Sequence, residues 1–295
     1  MAVIMDGNRR YGKRVYGEGD GGGDGGGDGG GDGGGDGGVG LGNVVIDLPK
    51  NYLRGHYDGG LKLESFIRWC VAFRNERPPS QQLKFLTVYA FSTENYGRSR
   101  RELDALHAIF LRFTSALEEK AEELNLRVNV YSTDGLAGMP ENVREAFKGL
   151  VNATSSNTGL NLNICAGYGG RMEILNAAKA IAAEAVEDGW SRERIDGLKE
   201  EDFERYLEGG RENRSLPHRH NFLHGSPQTP PPPTPVPVDV VVRTSGECRI
   251  SNFLIWQVAY SELFFLKKTW PEVKEEDFRR VVDDFESGRD RRFGL

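Results

Sequence analysis

Apolar residues in this chain fall into short unbroken runs, separated by longer stretches in which they recur every three or four positions. The runs are Val3–Met5, Phe85–Ala90, Val128–Tyr131, Leu160–Cys165, Val238–Val242 and Leu263–Leu266. Rich in Val, Ile, Leu and aromatic residues, they have the pattern of strands buried on both faces. Helical spacing predicts helices over Leu61–Arg74, Arg101–Leu124, Glu141–Val151, Met172–Val186, Glu201–Leu207 and Lys274–Glu286. The second carries Leu103, Leu106, Ile109, Phe110, Phe113 and Leu117 on one face. Strand and helix in alternation predict an α/β fold, a mostly parallel six-stranded sheet flanked by helices. Ligands in such sheets gather at the carboxyl ends of the strands.

Composition adds two interruptions. Of 39 glycines, 18 fall in residues 17–42, in repeated Asp-Gly-Gly-Gly units, and eight of the 13 prolines fall in residues 217–237. Neither tract has the apolar content to offset the entropy of ordering a chain, so both are expected to be disordered. The remaining residues, roughly 240, suit a single domain spanning 1–295 and interrupted twice. The net charge of −6 belongs wholly to the Gly/Asp tract, with five Asp and one Glu, and the rest is balanced. A balanced surface argues against a nucleic-acid partner. No apolar run reaches the ~18 residues of a membrane span, and the start has no signal-peptide pattern. Cys70, Cys165 and Cys248 are too far apart to read as a metal pair or a disulfide framework, which suits a reducing compartment.

The chemistry sits after the strands. Asp6-Gly7-Asn8-Arg9-Arg10-Tyr11 follows the first, Phe91-Ser92-Thr93-Glu94-Asn95-Tyr96-Gly97-Arg98 the second, and Ala166 to Arg171 the fourth. Arg243 to Asn252 follows the fifth. Glycine lets backbone N–H groups approach an oxyanion, a helix N-terminus adds positive potential, and arginine binds phosphate through two donors. A carboxylate in the same loop, Asp6, is what a hard divalent cation needs to bridge to diphosphate oxygens. Singly, each feature has a plain reading: Gly169–Arg171 as a turn, Ser251-Asn252 as a helix cap, Asp6 as a turn former. Four such strand ends together read as a diphosphate and magnesium site.

These residues resemble the cis-prenyltransferases, the undecaprenyl and dehydrodolichyl diphosphate synthases. The matching motifs are Met5–Tyr11, Gly55-His56, Tyr89–Asn95, Asn163–Arg171 and Arg243–Glu247 continuing through Arg249–Leu254 to Glu262-Leu263. The Asn-Arg-Arg-Tyr and Arg-Thr-Ser-Gly-Glu spellings look like the eukaryotic, dolichol-making branch. The resemblance implies the fold of that family, with Asp6 holding Mg2+ and Asn95 placed at proton removal. It implies that Gly7, Asn8, Arg9, Arg10, Tyr11, His56 and Arg98 cradle the allylic diphosphate. Ser92, Thr93, Glu94 and Tyr96 would lie beside the reacting carbons. Arg243, Arg249, Ile250 and Ser251 would bind isopentenyl diphosphate, and Glu262 would be the second magnesium ligand. Arg292 and Gly294 would reach the neighbouring subunit's site in a homodimer.

The activity implied is condensation of isopentenyl diphosphate onto farnesyl diphosphate to give a long polyprenyl diphosphate of dehydrodolichyl type. Two alternatives stand beside it, a short-chain cis-prenyl synthase and an accessory subunit of such an enzyme. The Asp6 loop and the terminal Arg292-Phe293-Gly294 occur together here, which favours a self-sufficient homodimer. Lipid substrates imply peripheral membrane contact, at the cytoplasmic face of the endoplasmic reticulum or in the cytoplasm. No Gly-x-Gly-x-x-Gly or Walker lysine supports a nucleotide site.

Overall fold

The computed structural model describes residues 1–17, 53–207 and 238–287. The Gly/Asp tract beyond Gly17, the Pro-rich tract, and Arg292 and Gly294 lie outside the described residues. Six strands form one sheet: β1 (Ala2–Ile4), β2 (Phe85–Ser92), β3 (Leu126–Tyr131), β4 (Leu160–Tyr168), β5 (Val240–Arg243) and β6 (Glu262–Phe265). Their order is β3-β4-β2-β1-β5-β6, and every neighbouring pair is parallel. The longer helices are α1 (Asn8–Tyr16), α2 (Arg54–Asn75), α3 (Arg100–Ala121), α4 (Glu141–Ala153), α5 (Gly170–Glu187) and, at the end, α8 (Glu275–Glu286). Short turns of helix, α6 (Arg192–Asp196) and α7 (Glu200–Glu204), precede β5.

Alternation along each strand sends neighbours to opposite faces. Val3, Leu86, Val88, Val128, Val130, Leu162, Val240 and Val242 join the large core under α2, α3, α4 and α8. Ala2, Ile4, Tyr131, Cys165 and Val241 face the other way, against Phe253, Leu254 and Val258. The expected helix after Ser251-Asn252 is absent; residues 251–260 form successive turns. The reason is local, since Ser251, Asn252 and Leu254 have positive φ values of 47°, 63° and 45°, which a right-handed helix does not accommodate. One polar line crosses the buried sheet. Asn129 Nδ2 donates to Asn163 Oδ1 at 3.0 Å, and Asn163 Nδ2 to Thr87 Oγ1 at 3.1 Å, so buried amides are satisfied across three strands.

The six strands and the six helices read from apolar spacing all form, with shifted ends. Strands β2 and β4 run two and three residues further than their apolar runs, through a register irregularity between Tyr89 and Ser92. Such a bulge re-aims side chains at the strand end. Helix α1 lies where a loop was expected. Only Gly12 is buried along it, so it carries no apolar stripe to betray it. Helix α2 begins seven residues early because Gly55, Gly59 and Gly60 hide the first two turns from the pattern.

Candidate active site

The site opens where β1 ends. The Asp6 N–H donates to Thr244 Oγ1 at 2.9 Å, and the Asp6 carbonyl accepts from Thr244 Oγ1 at 2.7 Å and from the Trp270 N–H at 2.9 Å. Trp270, fully buried, also donates its indole N–H to the Gly59 carbonyl at 2.9 Å. One tryptophan therefore joins the β1 loop to α2. Gly7 follows with φ 97°, and a Cβ there would lie 2.8 Å from Thr269 and from Ser245 Oγ. No other residue fits both the angle and the space. Helix α1 begins next with no side-chain cap, and its amino end turns the positive pole of the helix dipole to this site.

Two carboxylate-centred clusters surround that helix end. In the first, Asp6 Oδ2 accepts from Arg243 Nη2 at 2.8 Å, while Arg10 stands 3.7 Å from Asp6 and 3.3 Å from Glu247. Arg243 Nη1 also donates to the Arg249 carbonyl at 2.6 Å and to Ser251 Oγ at 2.7 Å. Glu247 pairs in turn with Arg249. In the second, Glu102 accepts from Arg98 at 2.9 Å and meets His56 Nε2 at 3.1 Å, with Arg9 at 3.7 Å. Its carboxyl is held below the usual glutamate range by His56 first, then by Arg98 and Arg9, against the opposing effect of burial. Sequence reasoning missed Glu102, whose place three residues after Ser99 reads as ordinary helix capping.

Both clusters border a cavity of about 540 Å³. Asp6, Gly7, Asn8, Arg9, Arg10, His56, Ser92, Asn95, Arg98, Arg243 and Ser251 form its polar side. Leu63, Ala90, Leu106, Ile109, Phe110, Phe113 and Ile164 form an apolar interior between α2, α3 and the sheet. Lys13, one turn along α1 from Arg9, also lines it and carried no sequence signal beyond its charge. Asn95 Oδ1 accepts from the Ser92 N–H at 3.1 Å, which sets the turn at the cavity edge. A charged rim over an apolar interior takes a molecule with an anionic head and a hydrocarbon tail.

Other expected site residues stand elsewhere. Tyr96 packs on Phe91, with ring centroids 4.9 Å apart, and against Gly138. Its hydroxyl is pushed up by burial first and then by Asp134. It is not among the residues that line the cavity. Tyr11 turns away along α1 to face Tyr16, at 6.4 Å. Thr93 and Glu94 point towards the Asn252 loop, where Asn252 Nδ2 donates to Glu94 at 3.1 Å. Ile250 packs under the sheet, and the Arg249 side chain is largely exposed outside the cavity. Glu262 pairs with Val240 at the start of β6, whereas Arg243 pairs with Phe265. Three strand residues, about 10 Å, separate Glu262 from the carboxyl end, so it does not join Asp6 within this chain.

Comparison with known proteins decides the family. The prenyltransferase model of undecaprenyl diphosphate synthase matches residues 48–294. The tritrans,polycis-undecaprenyl-diphosphate synthase (geranylgeranyl-diphosphate specific) of Thermococcus kodakarensis is 35% identical over 296 residues, covering 100% of this chain and 86% of that protein. The enzyme of the same description from Thermoplasma acidophilum is 37% identical, over 100% and 88%. The isoprenyl transferase of Clostridium acetobutylicum is 33% identical, over the same shares. This chain belongs to the cis-prenyltransferase family.

Solved structures agree on the fold of this cis-prenyltransferase. Lavandulyl diphosphate synthase of Lavandula x intermedia, in complex with dimethylallyl diphosphate, superposes with a TM-score of 0.67 over 96% of this chain and 93% of that one, at 23% identity. A Campylobacter jejuni chain described as a probable undecaprenyl diphosphate synthase gives 0.60 over 81% and 92%, at 25% identity. The activity of the family is cis-prenyl chain elongation. A divalent metal belongs with that chemistry, and the donor set suits one. Asp6 presents a carboxylate at the rim, 30% exposed, and magnesium is commonly held by one or two carboxylates plus substrate phosphates. No group of three His, Cys, Asp or Glu among the described residues is arranged to hold an ion without substrate.

Proposed function

We propose that this cis-prenyltransferase adds isopentenyl diphosphate repeatedly to geranylgeranyl diphosphate, with magnesium, to make a long-chain polyprenyl diphosphate. The observation that carries the reading is the 540 Å³ cavity whose charged rim and apolar interior are continuous. The resemblance in the motifs implies farnesyl diphosphate as primer. The archaeal relatives, matched over the whole chain, bear names specific for geranylgeranyl diphosphate, and we follow them. Both the dolichol-type spelling around Arg9 and Tyr11 and the relatives' undecaprenyl names support a long product.

The residues divide the work. Asn8, Arg9, Arg10, His56 and Arg98, with the positive amino end of α1, bind the allylic diphosphate. Arg243 and Ser251 bind isopentenyl diphosphate beside it. Asp6 would hold the magnesium, which when bound stabilises the charge on the departing diphosphate. The arginines and amides are in place beforehand, so their dipoles need no reorganisation as that charge develops. Asn95, at the cavity edge beside Ser92, orients the isopentenyl unit for proton loss through diphosphate or water. The apolar interior shields the allylic cation and takes up the growing chain.

Exposed Tyr260, Leu263 and Phe265 at the edge strand β6 support a homodimer, and the lipid product supports peripheral membrane contact. No helix among the described residues is long and apolar enough to cross a membrane. The test is purified protein with labelled isopentenyl diphosphate, magnesium, and geranylgeranyl or farnesyl diphosphate. Long products from the C20 primer, lost on chelation and restored by magnesium, are expected. Absence of elongation with either primer by folded protein would leave the accessory-subunit reading standing.

A further inference from the structure

Ser99-Arg100-Arg101-Glu102 at the head of α3 spells a capping box, in which the fourth side chain returns to the amide of the first. Only half of it forms. Ser99 Oγ accepts from the Glu102 N–H at 3.4 Å, while the Glu102 carboxylate turns inward and is 5% exposed. There it gathers three cationic or hydrogen-bonding groups from three parts of the chain. Arg98 Nη1 donates to Oε1 at 2.9 Å, His56 Nε2 of α2 meets the same oxygen at 3.1 Å, and Arg9 Nη1 of α1 lies 3.7 Å from Oε2. All three partners line the cavity, and Glu102 does not.

We propose that Glu102 is the positioning residue of the allylic-diphosphate site, a buried anion that aims Arg9, His56 and Arg98 at the primer's head group. This rests on reading the cavity as the primer site. Like charges facing one cavity repel one another and spread when nothing opposes them. A carboxylate behind them offsets that repulsion and fixes their directions, and each guanidinium keeps further N–H donors for an anion in the cavity. An ionised carboxylate only accepts hydrogen bonds, so Glu102 also sets the hydrogen on Nε2 of His56. A capping glutamate that abandons its own helix for three cavity residues is doing so at a cost to that helix, which a purely local role does not explain.

Steady-state kinetics of Glu102→Gln, Glu102→Asp and Ser99→Ala, with each substrate varied in turn, test this. Glu102→Gln should raise KM for the primer on the order of tenfold to a hundredfold, the usual effect of losing a partner that orients ligating groups. KM for isopentenyl diphosphate should stay within about twofold, because Arg243 and Ser251 belong to the other cluster. Glu102→Asp should recover part of the loss, and Ser99→Ala, which removes the cap alone, should leave both KM values unchanged. If Glu102→Gln does not fold, the primer KM of Glu102→Asp carries the test by itself. An unchanged primer KM in the Glu102 variants, or an equal rise in Ser99→Ala, overturns the proposal. Wild-type protein that elongates no primer overturns instead the reading on which it rests.

Discussion

The approach of α1 to α2 is so close that one methyl group should disable the enzyme. A Cβ on Gly55 would lie 2.1 Å from the Asn8 carbonyl oxygen, 2.8 Å from the Gly12 nitrogen and 2.9 Å from the Gly12 Cα. All three are backbone atoms, so no side-chain rotation relieves the overlap. Ordinary contact starts near 3.4 Å, and α1 must therefore move by about 1.3 Å in Gly55→Ala. Asn8, Arg9 and Arg10 move with it. A misplacement of about 1 Å costs on the order of 100-fold in rate, and that is the expected loss in kcat/KM. Net stability should fall by about 0–2.5 kcal/mol. Alanine favours the helix interior by about 0.5–1 kcal/mol, and the overlap costs about 1–3 kcal/mol. Gly149→Ala in α4 supplies the control, because nothing lies within 4 Å of the added carbon. It should stabilise by about 0.5–1 kcal/mol and leave activity unchanged. Initial rates with labelled isopentenyl diphosphate, beside thermal melts of all three proteins, decide the matter. Gly55→Ala protein within threefold of wild-type activity would refute the reasoning.

Other outcomes follow from the same geometry. Arg243→Lys loses the planar fork that serves Asp6, Ser251 and the Arg249 carbonyl together, and should lower kcat/KM for isopentenyl diphosphate on the order of 100-fold; a loss under fivefold contradicts it. Ile109→Ala removes a branched side chain from the cavity interior. It should shift products to longer chains on reversed-phase chromatography, at a stability cost of about 2–5 kcal/mol. Asp277 is buried, which raises its pKa, yet bonds from Lys268 Nζ at 2.7 Å and the Lys274 amide at 2.9 Å outweigh this and hold it below the ordinary value of 3.8. A depressed carboxylate stabilises above its unfolded pKa and loses that contribution as pH falls through the folded one. Asp277→Asn should therefore be less stable by about 1–3 kcal/mol at pH 7, and the gap should close as the pH falls below 3.8 through the depressed folded pKa, read in urea titrations.

Much of this was legible in the residue pattern. Continuous runs such as Leu160–Cys165 marked the buried parallel strands, because a strand covered on both faces has no polar alternation. The loop residues Asp6, Arg10, Asn95 and Arg243 declared their chemistry by type and by their position after strands. Helix α1 was not legible, since its stability comes from contact with α2 and not from an apolar stripe of its own. Nor was the glycine-rich start of α2, where propensity argues against helix and close packing overrides it. Tyr96 and Glu262 show the converse limit. A motif says that residues are near in sequence, while the bulge after Tyr89 and the direction of β6 determine which cavity, if any, their side chains meet.

The order of residues by itself determined the class of fold, the ends of the strands where ligand chemistry collects, and the kind of anion to be bound, because these depend on periodicity and functional-group type. Only the tertiary structure decided which charges share a partner. Glu102 stands 46 residues from His56 along the chain and Asp6 stands 237 from Arg243. Electrostatic pairing depends on distance in space, which the crossing of helices and the order of strands set and no local spelling records.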